Sequence, residues 1–328
     1  MSEDYRYSFI DWCKVIGIIL VVIGHSYTDL ISHKIIYLFH MPLFFIISGF
    51  LYRNKGLKGE LNGSLYSLAI PYLIFNAIYM IPFTGGEFKT SYILDILIGN
   101  QERLCGLMIP LWFLVSLFVI RVFCVLFNHI EWKHLLFSLL ASFIVFQFLG
   151  IKNGDLDPFQ IKTSCFALPF FFLGSIMKKH IHKIKDWRGG PAITTSSVAF
   201  ALFVMLGLYN MYLNNNHVVG VFECNFGKYI SLYYISASMT ALCIIIFCIL
   251  LVNSRWKVIE TLSNGTLFIL CTHLMIKWKI MHFFTDNWLS TFLSTILIVF
   301  ISYFLILFCQ RFFPLLLGKK CIKTHAHL

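Results

Sequence analysis

Apolar runs of about 17–25 residues follow one another along nearly the whole sequence, separated by short polar joints. That is the length a helix needs to cross a bilayer, and the period-two alternation of β-barrel strands is absent. Charged residues make up 12% of the chain and hydrophobic residues 59%, whereas a soluble domain carries roughly a quarter charged. Such a chain lacks the polar groups to cover a soluble surface. The expected fold class is all-α: a polytopic integral membrane helical bundle of about ten transmembrane helices. They are placed at 9–27, 35–52, 64–83, 110–127, 134–150, 164–178, 192–213, 230–252, 262–283 and 289–313. One transmembrane domain is expected over 1–318, with 319–328 as a short basic cytoplasmic tail. Segment 92–99 is too short to span and is expected to be a re-entrant or surface helix. The first apolar run contains Asp11 and Lys14 and lacks a small-residue cleavage pattern after it, so it is expected to be retained as the first span.

The formal net charge is +11. In a soluble protein that excess would suggest nucleic acid. Here the basic residues fall in the joints between spans, so orientation explains them and no nucleic-acid partner is expected. With the N-terminus inside, the inner joints hold most of the Lys and Arg, including Arg53, Lys55, Lys58, Lys133, Lys178, Lys179 and Arg188. That bias predicts both termini in the cytoplasm. The ten cysteines lie mostly inside spans and show no C-x-x-C spacing. They read as small apolar fillers, and no metal is expected.

Several polar residues stand out against this apolar background. In the first span, Asp11, Lys14 and His25 fall near one helix face; Lys14 and His25 are close to three turns, about 16 Å, apart. Asp11 and Lys14 also fit a simple ion pair, whereas His25 is suited to take or give a proton in a membrane cavity. The second span, H-M-P-L-F-F-I-I-S-G-F from His40 to Phe50, runs back across the membrane. This places His40 at about the depth of His25, with Ser48-Gly49 as a small-residue packing contact. Trp112, in P-L-W-F-L, reads either as an aromatic-belt residue or as a substrate contact. Arg121, deeper on that helix, reads as a snorkelling side chain or an anion contact. His273 and Lys277 lie one turn apart on a late span. The run K-K-H-I-H-K-I-K-D-W-R, with Lys178 and Lys179, reads as positive-inside bias or as a phosphate-attracting mouth.

Together these blocks resemble the acyltransferase-3 family of membrane O-acyltransferases, in particular its fucose 4-O-acetylase-like and polysaccharide O-acetyltransferase branch. The family's first-helix motif is a basic residue, ten residues, then histidine, which here is Lys14 to His25. His40 to Leu51, Pro110 to Leu114, Leu168 to Gly174 and Ser263 to His273 are similar to later family blocks. Many members have arginine where this chain has Lys14; lysine keeps the charge but not the bidentate fork. The resemblance implies transfer of an acetyl or other acyl group from cytosolic acetyl-CoA to a hydroxyl of a cell-envelope glycan or lipid-linked saccharide. It places the protein in the bacterial cytoplasmic membrane. His25 would be general base or covalent nucleophile, with His40 and His273 as further catalytic candidates. Lys14, Arg121, Lys178 and Lys179 would face the cofactor, and Trp112, Lys277 and Asp11 the substrate. The competing expectation is a polytopic transporter or exporter of a glycan or small solute.

Overall fold

The computed structural model describes residues 7–26, 29–83, 90–104, 106–149, 156–186, 190–252 and 255–320. The tail 319–328 and most side chains of the 182–190 run therefore fall largely outside the described residues. The helices in order are α1 (Ser8–Gly24), α2 (Leu30–Leu51), α3 (Gly56–Ser64), α4 (Ile70–Phe83), α5 (Thr90–Leu97), α6 (Trp112–Cys124) and α7 (Trp132–Leu149). They continue with α8 (Ile161–Asp186), α9 (Gly190–Tyr212), α10 (Ile230–Leu251), α11 (Lys257–Asn264), α12 (Thr266–Ile280) and α13 (Trp288–Phe312). Among the described residues there is no β-strand, only one antiparallel bridge between Gly220 and Asn225.

Every expected span falls on a helix, but the expected ten do not all reach crossing length. Among the described residues, six helical stretches are long and apolar enough, or seven if α11 and α12 count as one span bent by 77°. Helix α1 has 17 residues, and the apolar stretches Ile109–Cys124 and Trp132–Phe148 are also short. The late span expected as one continuous helix is broken at Gly265. A Cβ there would press into the Ile306 side chain of α13, so glycine lets the turn seat against that helix. The Ser263 carbonyl accepts from the Thr266 hydroxyl at 2.8 Å, a local bond that competes with helix continuation. Most of segment 92–99 lies on the short helix α5, with Ile98 and Gly99 in the turn that follows it.

Helix α1 lies at the centre, packed against α2, α10, α11, α12 and α13. Helix α2 begins at Asp29, whose carboxylate accepts from the backbone N–H groups of Ile31 (3.2 Å) and Ser32 (3.4 Å). Hydrogen bonding from Ser32, its hydroxyl first, holds that carboxyl below its usual range. The cap fixes where α2 starts, and so the register of Tyr37 and His40. Helices α2 and α8 meet through two glycines. A Cβ on Gly49 would overlap the Phe171 carbonyl, and one on Gly174 would overlap the Ile46 carbonyl. Lipid tails are as apolar as a leucine side chain, so in the membrane close backbone approach and van der Waals packing hold such a pair together.

Candidate active site

His25 is the residue at which α1 stops (φ −91°, ψ 2°). The preceding Gly24 brings this end close to α2, because a Cβ there would lie 3.0 Å from Ile36 and 3.3 Å from the Tyr37 ring. A cavity of about 50 Å³ opens at this point, lined by His25, Tyr37, His40, Met41, Trp112, Leu270 and the segment Gly220 to Glu223, among others. The sequence-derived expectation that His25 and His40 share one depth is met by this cavity.

The surrounding rings have defined roles. The Tyr37 hydroxyl lies 3.4 Å from His25 Nδ1. On its other side the Tyr37 ring stacks on His33 (4.1 Å, 16°) and meets His40 edge-on at 4.9 Å. His40 Nδ1 lies 2.8 Å from the Ile36 carbonyl. A carbonyl only accepts, so Nδ1 carries the proton and Nε2 the lone pair. The same reasoning fixes His273, whose Nδ1 meets the carbonyls of Leu270 (2.9 Å) and Ile269 (3.1 Å). His273 is 1% exposed, and its Nε2 is buried without a protein hydrogen-bond partner. An orphaned buried polar atom costs about 1–3 kcal/mol, and its retention asks for an explanation such as a role in chemistry or a bound water. Its ring centroid is 5.2 Å from that of His25. One turn further on, Lys277 Nζ donates to the His25 backbone carbonyl. Three imidazoles and an ammonium group thus gather at one end of α1. The bend at Gly265 brings α12 alongside to supply two of them.

A second cavity, about 220 Å³, lies at the other end of α1. It is lined by Asp11, Lys14, Arg53 and Lys178, with Tyr7, Ile10, Phe50, Leu51 and Asn264. Lys178 also donates to the Tyr52 carbonyl at 3.2 Å. Asp11, expected among the substrate contacts, belongs to this basic end and not to the His25 end; its carboxylate accepts from the Ser263 hydroxyl at 2.5 Å.

Two expected cofactor contacts are placed elsewhere. Arg121 Nε forms a 2.6 Å ion pair with Glu60, a carboxylate only 1% exposed, and the guanidinium also reaches Ser67 at 3.4 Å. Its charge is committed to burying Glu60. Arg121→Ala is therefore expected to destabilise by about 3 kcal/mol, the scale of leaving one buried charge unpaired; a chemical-denaturation midpoint in detergent micelles measures it. Lys179 Nζ donates to the Ile130 carbonyl at 2.7 Å and does not line the basic cavity.

Tyr37, Phe222 and Glu223 were not singled out from the sequence. Tyr37 is one tyrosine among fifteen. Its only signal is its place in H-K-I-I-Y-L-F-H, one helical turn from a histidine on either side. Glu223 is a lone carboxylate in the apolar run V-V-G-V-F-E-C-N-F-G, an oddity that could have marked it.

Long apolar helices with buried polar groups converging among them describe a multi-pass membrane protein with a candidate site inside its helical bundle. The chain matches the acyltransferase-3 family model, described as "Acyltransferase domain", over residues 7–309. It belongs to that family. Nodulation protein NolL of Sinorhizobium fredii (strain NBRC 101917 / NGR234) is 29% identical over 182 residues. The match covers 51% of this chain and 48% of NolL, so it spans about half the length of either. No solved structure matches the chain.

Proposed function

We propose that this protein is an O-acetyltransferase of the bacterial cytoplasmic membrane, moving acetyl from cytosolic acetyl-CoA to a hydroxyl of an envelope glycan or lipid-linked saccharide. The observation that carries the reading is the pair of cavities at the two ends of α1, basic at Lys14 and histidine-lined at His25. About 16 Å of helix separates the two residues, comparable to an extended pantetheine arm. The Lys14 cavity, with Arg53 and Lys178, suits the phosphates of CoA. The His25 cavity, about 50 Å³, has room for a few water-sized groups, which favours a short acyl group over a long one.

The chemistry assigned to the residues is direct transfer. With Tyr37 accepting from Nδ1–H, His25 Nε2 holds the lone pair that removes the acceptor hydroxyl proton. The alkoxide oxygen bonds to the thioester carbonyl carbon, and the C–S bond breaks. The proton held on His25 passes to the departing sulfur, so an O-acetyl ester and free CoA thiol leave and the imidazole is restored. Lys277, beside His25, is suited to offset the negative charge that develops on the carbonyl oxygen.

Lys14→Ala tests the donor end. The expected outcome is an apparent KM for acetyl-CoA raised about tenfold or more, as loss of one charged phosphate contact predicts. An unchanged KM removes Lys14 from the donor site.

A further inference from the structure

The connection between α9 and α10 reads in the sequence only as a loop, yet it is tightly built. Asn210 accepts from the Tyr229 N–H at 2.8 Å and donates to the carbonyls of Phe226 (2.7 Å) and Tyr229 (3.1 Å). Asn225 donates to the Val218 carbonyl at 3.0 Å and accepts from Gly227 N–H at 3.2 Å. The Gly220–Asn225 bridge closes the tip, and Lys34 of α2, itself buried, clasps Asn216 at 3.0 Å. Val219, Val221, Cys224 and Phe226 are buried. The segment is therefore a folded cap, and its tip from Gly220 to Glu223 lines the His25 cavity.

Two features of the tip bear on what can approach. The Phe222 ring stacks on Trp112, with centroids 5.4 Å apart and planes 27° from parallel. The Glu223 carboxylate folds back over Gly220, occupying the space a Cβ there would take. Glycine at 220 thus holds an exposed carboxylate at the cavity. A carboxylate accepts two hydroxyl hydrogen bonds at once, and these are stronger than neutral ones. It repels phosphates, so it does not serve the donor. An aromatic face beside it is negative and apolar, suited to the C–H face of a sugar ring. The cavity itself is too small for a ring, so a ring would rest at the mouth and pass one hydroxyl toward His25.

We infer that Glu223, with the half-buried Phe222 ring backed by the buried Trp112, forms an acceptor-orienting subsite for an uncharged pyranose bearing neighbouring hydroxyls. Its place in the reaction rests on the acyl-transfer reading above; the binding itself does not. Full-length protein in lipid nanodiscs, probed by saturation-transfer NMR with methyl glycosides of glucose, galactose, fucose and glucuronate, tests it. The wild type is expected to bind at least one neutral glycoside and to reject the glucuronide. Glu223→Gln is expected to weaken neutral-glycoside binding on the order of tenfold, the loss of one charged hydrogen bond, and to relax rejection of the glucuronide. Gly220→Ala keeps the charge but displaces the carboxylate. Its Cβ meets only the far end of the Glu223 side chain, so the cap can keep its fold, and the same weakening is expected. Neutral binding retained in both variants, or absent from the wild type, overturns the subsite. Turnover of radiolabelled acetyl-CoA is read separately. Glycoside binding without turnover sinks the acyl-transfer reading and leaves the subsite standing; turnover without glycoside binding does the reverse.

Discussion

His25→Ala is expected to lower the rate of acyl transfer about a thousandfold, the middle of the range for removing a positioned general base, and to leave the protein folded in the membrane. The fold is expected to survive because His25 is only half-buried and its side chain borders a cavity at the end of α1. Lys277, moreover, grips its backbone carbonyl, which alanine retains. The neighbouring histidines differ. His40 and His273 are 4% and 1% exposed and hydrogen-bond to their own helix backbones, so replacing them disturbs packing as well as chemistry. Single-turnover transfer of radiolabelled acetyl, run beside a thermal melt in the same nanodiscs, separates the two effects. A folded His25→Ala protein within about tenfold of the wild-type rate would remove His25 from the chemistry.

A large effect on folding is expected at Gly49 and Gly174. A methyl group at either position meets the backbone of the opposite helix, which cannot rotate away as a side chain can. Overpacking a core costs typically about 1–3 kcal/mol, and a clash with backbone falls at or above the upper end. Gly49→Ala and Gly174→Ala are each expected to cost about 3 kcal/mol, seen as a loss of monodisperse protein on size exclusion and a melting point several degrees lower. Both are relieved by the same separation of α2 from α8, so the double variant is expected to cost less than the two singles together. The same separation would shift Tyr37 and His40, which ride on α2, relative to His25. Melting points unchanged in both singles would mean that the two helices do not meet at these glycines.

Much of this arrangement could be read from the sequence because membrane helices announce themselves. Continuous apolar runs leave little choice of secondary structure, and a rare polar residue within one must find a cavity or a partner. His25 and His40 could be paired by depth from the expected spans, although α2 begins at Leu30, so that His40 lies mid-helix where the shorter α1 ends. Position along an axis does not reveal which way a side chain turns. Arg121 and Lys179 lie at plausible depths but turn to Glu60 and Ile130. Glu60 reads as an ordinary joint residue until folding carries it under α6. The break at Gly265 was hidden because Gly is common in membrane helices, and only the close approach of Ile306 makes it necessary here. Tyr37 and Glu223 enter the site through contacts between elements that the sequence does not join.

His25 is proposed to act as the base for direct acyl transfer to an envelope saccharide. Mass spectrometry of envelope glycans and lipid-linked saccharides tests it most directly, comparing cells that carry the intact gene, no gene, or His25→Ala at matched protein level. One acetyl increment on a saccharide is expected only with the intact gene. Identical glycans in all three, or an increment that persists with His25→Ala, would contradict it.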